Sequence, residues 1–391
     1  MSYLKASAVG LGCSALIVGF YLWQREPAAS APPRPRAAAT PAVVPNAVAV
    51  ATAAPSDAPK PVSVRSALAH AFPGTPPPRA LLERLAAGDV GGVARELAAS
   101  DESAAAVHLF DLAALCASEG HAPAEGGSAE ERAALEASAA APAARVTLER
   151  LIETRHRWQA RFAAGCASAP LDAATIHRRL GAAAVRGDAA SFERLASQDA
   201  QPLARLMSAA LLGNPRAQFR LGLDEMPAQP AQGRSWLEVA AKTDADAAAY
   251  YALCLLGGCA APADPAAART ELESAARMGS LYALGLLASA GGADGPHRWS
   301  RADAIVTPVA PHDVDGLGLD SAAGYAWASL AAALASSGCF GFEFGATAEA
   351  LEARPRLERS LRTVELEVAR TAAGELEASS GAALRHALDC D

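Results

Sequence analysis

Residues 264–292 read as one complete unit of a helical repeat, and a repeat fixes an architecture before any single motif is weighed. Asp264-Pro265 opens a helix: an N-cap residue is followed by a proline whose missing N–H costs nothing at the first position. Ala268, Ala275 and Ala276 follow at helical spacing, and Gly279 ends the run. A second helix passes through Ala283 and Leu287 and stops at Gly291-Gly292. Related residues recur about 36 positions upstream.

The composition suits such an object. Hydrophobic residues make up 51% of the 391-residue chain, yet aromatics are only 5%, because alanine supplies much of the apolar content. Alanine is the best helix former and a poor strand former, so the chain predicts many helices in close, thin contact. A net charge of −8 argues against a nucleic-acid-binding surface.

Residues 6–23 carry no charge, and about 18 such positions lie near the lower limit for a membrane-crossing helix. Tyr3 precedes the segment and Phe20, Tyr21 and Trp23 close it, where interfacial aromatics belong. An uncleaved inner-membrane anchor is favoured over a signal peptide, because Pro32 follows the best cleavage site, Ala29-Ser30-Ala31. Arg25, Arg34 and Arg36 beyond the segment favour a cytoplasmic body by charge alone. The Ala/Pro-rich linker and six cysteines beyond the anchor argue for the periplasm, which is the expected placement. Ala8, Gly12, Ala15 and Gly19 would suit pairing of two anchors into a homodimer.

The expected organisation is 1–24 anchor or signal segment, 25–63 disordered linker, 64–200 N-terminal helical region, 201–338 repeats and 339–391 C-terminal capping helices. Helices are predicted over 79–87, 89–100, 103–118, 142–164, 172–186 and 188–197, with Gly88-Asp89 and Gly187-Asp188 as stop–start signals. No convincing period-two strand appears. The clearest first helices contain Ala217 and Leu221, Ala247 and Tyr251, and Ala283 and Leu287. Second helices contain Trp236 with Ala240-Ala241, then Ala275-Ala276, then Trp327 with Ala331-Ala332.

These residues resemble the Sel1-like repeat family, bacterial relatives of tetratricopeptide repeats. Ala217…Leu221-Gly222 is similar to the family's opening Ala-x-x-x-Leu-Gly, and Asp264-Pro265…Ala268…Ala275-Ala276-Arg277-Met278-Gly279 to its second half. Residues 325–333 look like the usual last repeat, and the charged run 356–377 like the terminal helix that often follows. Tyr251-Ala252 stands where Leu-Gly is usual. The resemblance covers roughly 209–378 and implies an all-α solenoid of antiparallel helix pairs. It also implies a non-enzymatic scaffold holding an envelope protein or peptide on its concave surface.

Cysteine carries the strongest chemical signal. Cys116 and Cys166 each end a predicted helix with another helix between, so an up-down-up arrangement brings them together. The same logic joins Cys339 to Cys390 and leaves Cys254 with Cys259. This is one of the 15 connectivities that six cysteines allow, and buried free thiols are the alternative. Some members of the resembled family are disulfide-stapled.

The third repeat carries an insertion of about 20 residues, and long loops in compact repeats are often functional. His297, Arg298, Trp299 and Arg301 within it are the first candidates for partner contact, and Tyr250 and Tyr282 on first helices the second. His312 to Gly316 faintly resembles a calcium loop, but the glycines that follow suit an ordinary turn. The acidic run Glu125, Glu130 and Glu131 reads as a solvated helix face. Signatures of zinc proteases, phosphate-binding loops and nucleophile elbows are absent, so no catalytic residue, metal or cofactor is expected. The alternative function is a cell-envelope hydrolase acting on peptidoglycan-derived or β-lactam substrates.

Overall fold

One type of helix junction recurs along the chain. In the computed structural model, which describes residues 64–390 apart from 73, 75–76, 121–126, 139–140, 200–201, 260 and 290–316, Gly88, Gly187, Gly213 and Gly279 all take positive φ of 87–98°. Glycine enters that left-handed region without the clash a Cβ would bring. The next residue does two jobs. Its amide reaches back to the ending helix: Asp89 to Arg84, Asp188 to Ala183, Asn214 to Ala209 and Ser280 to Ala275, at 2.9–3.1 Å. Its side chain accepts from the starting helix: Asp89 from Gly92, Asp188 from Ser191, Asn214 from Ala217 and Ser280 from Ala283. Two residues thus stop one helix, cap the next and reverse the chain.

Among the described residues there are 17 helices and no strand. The N-terminal group comprises α1 (Val64–Ala71), α2 (Arg79–Ala87), α3 (Val90–Ala99), α4 (Ser103–Glu119), α5 (Ala129–Ala137), α6 (Pro142–Ser168) and α7 (Ala173–Val185). Four helix pairs follow: α8 (Ala189–Ala196) with α9 (Pro202–Leu211), α10 (Pro215–Glu225) with α11 (Pro230–Ala240), α12 (Ala245–Gly257) with α13 (Pro265–Arg277), and α14 (Leu281–Ser289) with α15 (Ser321–Ser336). The chain closes with α16 (Phe344–Ser360) and α17 (Thr363–Ala387).

Equivalent positions in the pairs carry equivalent work. Ala217, Ala247 and Ala283 are fully buried three residues after their caps. Leu221 and Leu287 are likewise buried, while Tyr251 at the matching position is half-buried. One residue further on, Gly222 crosses Gly233 of α11 so closely that a Cβ on Gly233 would sit 2.7 Å from the Gly222 carbonyl oxygen. Ala252 and Ala268 occupy the same helix positions in the next pair, both buried, so small residues set the approach of each pair. Successive first helices also touch one another, α10 with α12 and α12 with α14, more extensively than the second helices α11 and α13 do. The first helices therefore form one continuous side of the stack, its inner face.

The two ends of this unit meet. The α16 helix packs on α5 and α6, with Phe344 and Ala348 buried against Ala134, Leu148 and Leu151. Trp158 lies between Phe162 and Phe342, at ring-centroid distances of 4.7 and 5.5 Å. Ser66 of α1 is buried, and its hydroxyl donates to the carbonyls of Cys339 (3.2 Å) and Leu388 (2.7 Å). Arg65 beside it pairs with Asp389 at 3.2 Å. A cavity of about 390 Å³ opens at this seam, against His70, Arg79, His386 and Asp389.

All three expected disulfides form, Cys116–Cys166, Cys254–Cys259 and Cys339–Cys390, with Cα separations of 5.6, 5.0 and 5.1 Å. Paired cysteines of this kind belong to proteins that mature in an oxidising compartment. Among the described residues no helix is long and apolar enough to cross a membrane. The expected anchor over 6–23 lies outside the described residues.

Three sequence readings change. The charged run 356–377 is two helices rather than one: it breaks at Leu361-Arg362, where the Glu365 carboxylate accepts from the Arg362 amide (2.9 Å) and starts α17 afresh. The alanine pair Ala331-Ala332 is one turn out of register. The junction amide of Cys339 reaches Leu334, so Leu334-Ala335 is the counterpart of Ala275-Ala276. Glu131 is not solvated: it is buried, accepts from the Ser128 amide, and pairs with Arg155 (3.4 Å) and His156 (3.1 Å) of α6.

Candidate functional site

The inner face of α8, α10, α12 and α14 carries two features side by side. One is an aromatic stack. Phe219 of α10 meets Tyr250 of α12 at 5.2 Å between centroids, and Tyr250 stacks on Tyr282 of α14 at 5.4 Å with the rings 26° apart. Tyr250 stands six residues after its cap Asp244, and Tyr282 two after Ser280, so one helical turn of offset brings the rings into line across the repeats. Both tyrosines are half-buried, and burial pushes the Tyr282 hydroxyl above its usual pKa. The two rings expected on first helices are therefore brought together, with Phe219 as a third member the sequence reading did not name.

The other feature is a cluster of charges. Arg194 of α8 grips Asp111 of α4 with two bonds, of 2.6 and 2.9 Å, and also bonds the neighbouring Glu193 carboxylate. Glu193 accepts further from Arg220 of α10 at 3.0 Å and faces Arg216 at 3.5 Å. Asp111, Glu193 and Arg194 are each at most 5% exposed, whereas the Arg216 and Arg220 side chains are 41% and 33% exposed. Three guanidiniums thus share two carboxylates. Burial pushes the Asp111 carboxyl up despite its arginine. Burial also acts on Glu193, but the charges of Arg194 and Arg216 prevail and hold it below the usual range. The Arg216 guanidinium is held down by burial and then by the like charge of Arg194.

Acidic groups bound this cluster on the α12 side. Asp244 caps α12 through the Ala247 amide at 2.8 Å, and burial raises its pKa. Asp246 accepts from the Ser280 hydroxyl at 2.9 Å, tying the starts of α12 and α14 together. Near the far end of α12, the Cys254–Cys259 bridge closes the turn at Gly258, and Arg234 of α11 donates to the Cys259 carbonyl at 3.3 Å.

His297, Arg298, Trp299 and Arg301 lie outside the described residues, as does the sequence from His312 to Gly316. Among the described residues no three His, Cys, Asp or Glu side chains converge as a metal ion would need, and no arrangement of side chains there supports the hydrolase alternative. The charge cluster was missed in the sequence. Its signal was positional: Arg194 and Arg220 stand six residues after their caps, as Tyr250 does in α12, so one inner-face position repeats.

No protein-family model matches the chain, and no curated protein matches it. Solved structures similar to it include two of repeat proteins. One is a protective antigen present in uropathogenic Escherichia coli strains that displays an SLR fold; identity is 15% over 77% of this chain, with a TM-score of 0.41. The other is a Sel1 repeat protein from Oxalobacter formigenes, with 18% identity over 75% of this chain and a TM-score of 0.33. The alignment spans 63% of the first structure's length and 89% of the second's.

Proposed function

We propose that this chain is a Sel1-like solenoid of the bacterial cell envelope that works as a non-enzymatic scaffold, holding a partner protein or peptide on its inner face. The observation that carries the reading is the Phe219–Tyr250–Tyr282 stack, which runs across three successive first helices on the side they share. Phe219 is buried, and the half-buried rings of Tyr250 and Tyr282 offer a large contact area at little entropic cost, as aromatic anchors of interfaces do. Three disulfides in the body support an oxidising compartment, and the uncharged segment 6–23 supports attachment to the inner membrane. The insertion residues His297, Arg298, Trp299 and Arg301 follow α14 in sequence and form the second part of the proposed contact surface.

In-cell crosslinking of the full-length protein tests this. A specific partner should be captured by the parent and lost with a Tyr250→Ala, Tyr282→Ala double variant or with deletion of 293–312. Equal capture by all three proteins would sink the scaffold reading for these surfaces.

A further inference from the structure

The inner face is chemically polar along its length, and that polarity selects a kind of partner. Its α10 end presents Arg216 and Arg220, one turn apart, with side chains 41% and 33% exposed; the shared Glu193 carboxylate contacts both, and Asp244 and Asp111 act on Arg216 from farther away. Arg194, the third guanidinium on that carboxylate, is spent on Asp111. The Nε–H of Arg216 is out of solvent and makes no hydrogen bond; its contact with Glu193 is a 3.5 Å ion pair. An under-satisfied guanidinium beside a like charge gains from an arriving carboxylate. The middle of the face holds Asp244 and Asp246, but each carboxylate is already bonded, to the Ala247 amide and the Ser280 hydroxyl. These acids confine an incoming acidic group to the α10 side. Toward α14 the face offers the exposed parts of the half-buried Tyr250 and Tyr282 rings, and no charge from those positions.

We infer that the inner face takes an extended peptide segment of the partner, with an acidic side chain seated at Arg216 and Arg220 and an apolar or proline residue lying on the Tyr250–Tyr282 stack. This rests on the scaffold reading above. Geometry sets the spacing. Neighbouring packed helices lie about 8–10 Å apart, so the path from α10 to the tyrosine pair is roughly 10–20 Å. An extended chain rises about 3.3 Å per residue, which places the acid roughly three to six positions from the apolar residue.

The test uses purified, oxidised full-length protein, with a random octapeptide library as the probe. The expected result is enrichment of peptides that pair an acidic residue with Pro, Leu, Phe or Tyr three to six positions away. A representative peptide should weaken about tenfold with its acid changed to the amide, and as much on Arg216→Gln protein. It should weaken about tenfold or more on Tyr250→Ala protein. Raising salt should weaken the acidic peptide and leave its amide form unchanged. Arg216→Gln spares the tighter Arg220–Glu193 contact, and an unchanged melting curve confirms that the fold is intact. Enriched peptides without an acidic residue, or binding indifferent to Arg216→Gln, would overturn this inference and leave the scaffold reading standing. Failure to enrich any peptide, together with unaltered crosslinking by the tyrosine variant, would overturn both.

Discussion

The middle of the molecule and its two ends are held together by different physics. From α8 to α11 each helix touches its sequence neighbours, and the buried clusters are small: Ala196, Leu206, Ala209, Ala210, Ala217 and Leu221 form one, and Phe219, Leu223, Met226, Leu237, Ala240, Ala247 and Cys254 the next, whereas most of the buried residues of α12 to α14 share one large cluster with α15 to α17. At the ends, by contrast, α1 binds the turn after α15 and the end of α17, while α16 lies on α5 and α6. Those contacts join residues 273 and 322 positions apart. An array of nearest-neighbour pairs can open locally anywhere along its length, because each junction is a separate small contribution. Contacts between the ends convert that open array into a unit whose loss at the seam is felt throughout. The large aromatic residues follow the same division: Trp158, Phe162, Phe340 and Phe344 are fully or almost fully buried near the seam, while the middle is packed with alanine.

The largest expected difference concerns the disulfides. Cys339–Cys390 closes 51 residues and Cys254–Cys259 only five. By chain entropy the first stabilises by about 4 kcal/mol and the second by about 2 kcal/mol. Replacing Cys339 and Cys390 by Ser should therefore cost about twice as much in guanidinium denaturation as the same change at Cys254 and Cys259. It should also raise amide exchange in α1 as well as in α15 and α17. Exchange confined to α17 would show that the seam does not couple the ends.

A smaller effect tests the middle. Gly233→Ala puts a methyl group 2.7–2.9 Å from backbone atoms of Gly222 and Met226, which cannot swing aside. A cost of about 1–3 kcal/mol is expected for forcing α10 and α11 apart. Ala268→Gly, at the matching place in α13, should cost about 1 kcal/mol through helix propensity and a lost methyl contact. If Gly233→Ala is harmless, the small residues at this position are not setting the approach of the helices.

What was legible in the sequence follows the same divide. The middle could be read because its determinants are local: Asp264-Pro265, the alanine pairs and the left-handed glycines each act within a few residues. Cys116–Cys166 and Cys339–Cys390 could be paired because each spans an up-down-up unit whose ends must meet. Legibility failed where a distant element decided the outcome. Glu131 looks like part of a solvated acidic run until Arg155 and His156 arrive from α6. Tryptophan spacing suggested Ala331-Ala332 as a repeat mark, yet the register is set by which carbonyl the junction amide reaches, and that is Leu334. The charge cluster on the inner face was hidden for a related reason. Arg194, Arg216 and Arg220 are ordinary helix-surface residues until Asp111, 83 positions away from Arg194, shows that α4 packs against them.

The smallest effect separates the regions by sign. Glu365, at the start of α17 among the C-terminal helices, is held down to about 2 by its bonds to the Arg362 side chain and amide. Its folded pKa lies below the unfolded value, so its contribution is present above about 4.5 and is lost as pH falls toward about 2. Asp244, at the start of α12 in the middle, is shifted the other way by burial. Its folded pKa lies above the unfolded one, so its contribution is complete below the unfolded value of 3.8 and is lost as pH rises through the raised pKa. Melting temperatures of Glu365→Gln and Asp244→Asn proteins, each subtracted from the parent across pH, should therefore diverge. The parent should exceed Glu365→Gln at neutral pH, with the gap closing in acid. Asn caps a helix as well as Asp and carries no charge to bury, so Asp244→Asn should match or exceed the parent at neutral pH, and that gap should also close in acid. Gaps of the same sign at the two helix starts would mean that Asp244 is stabilised as an anion in the groove, and that the inner face is more positive there than Arg216 alone can make it.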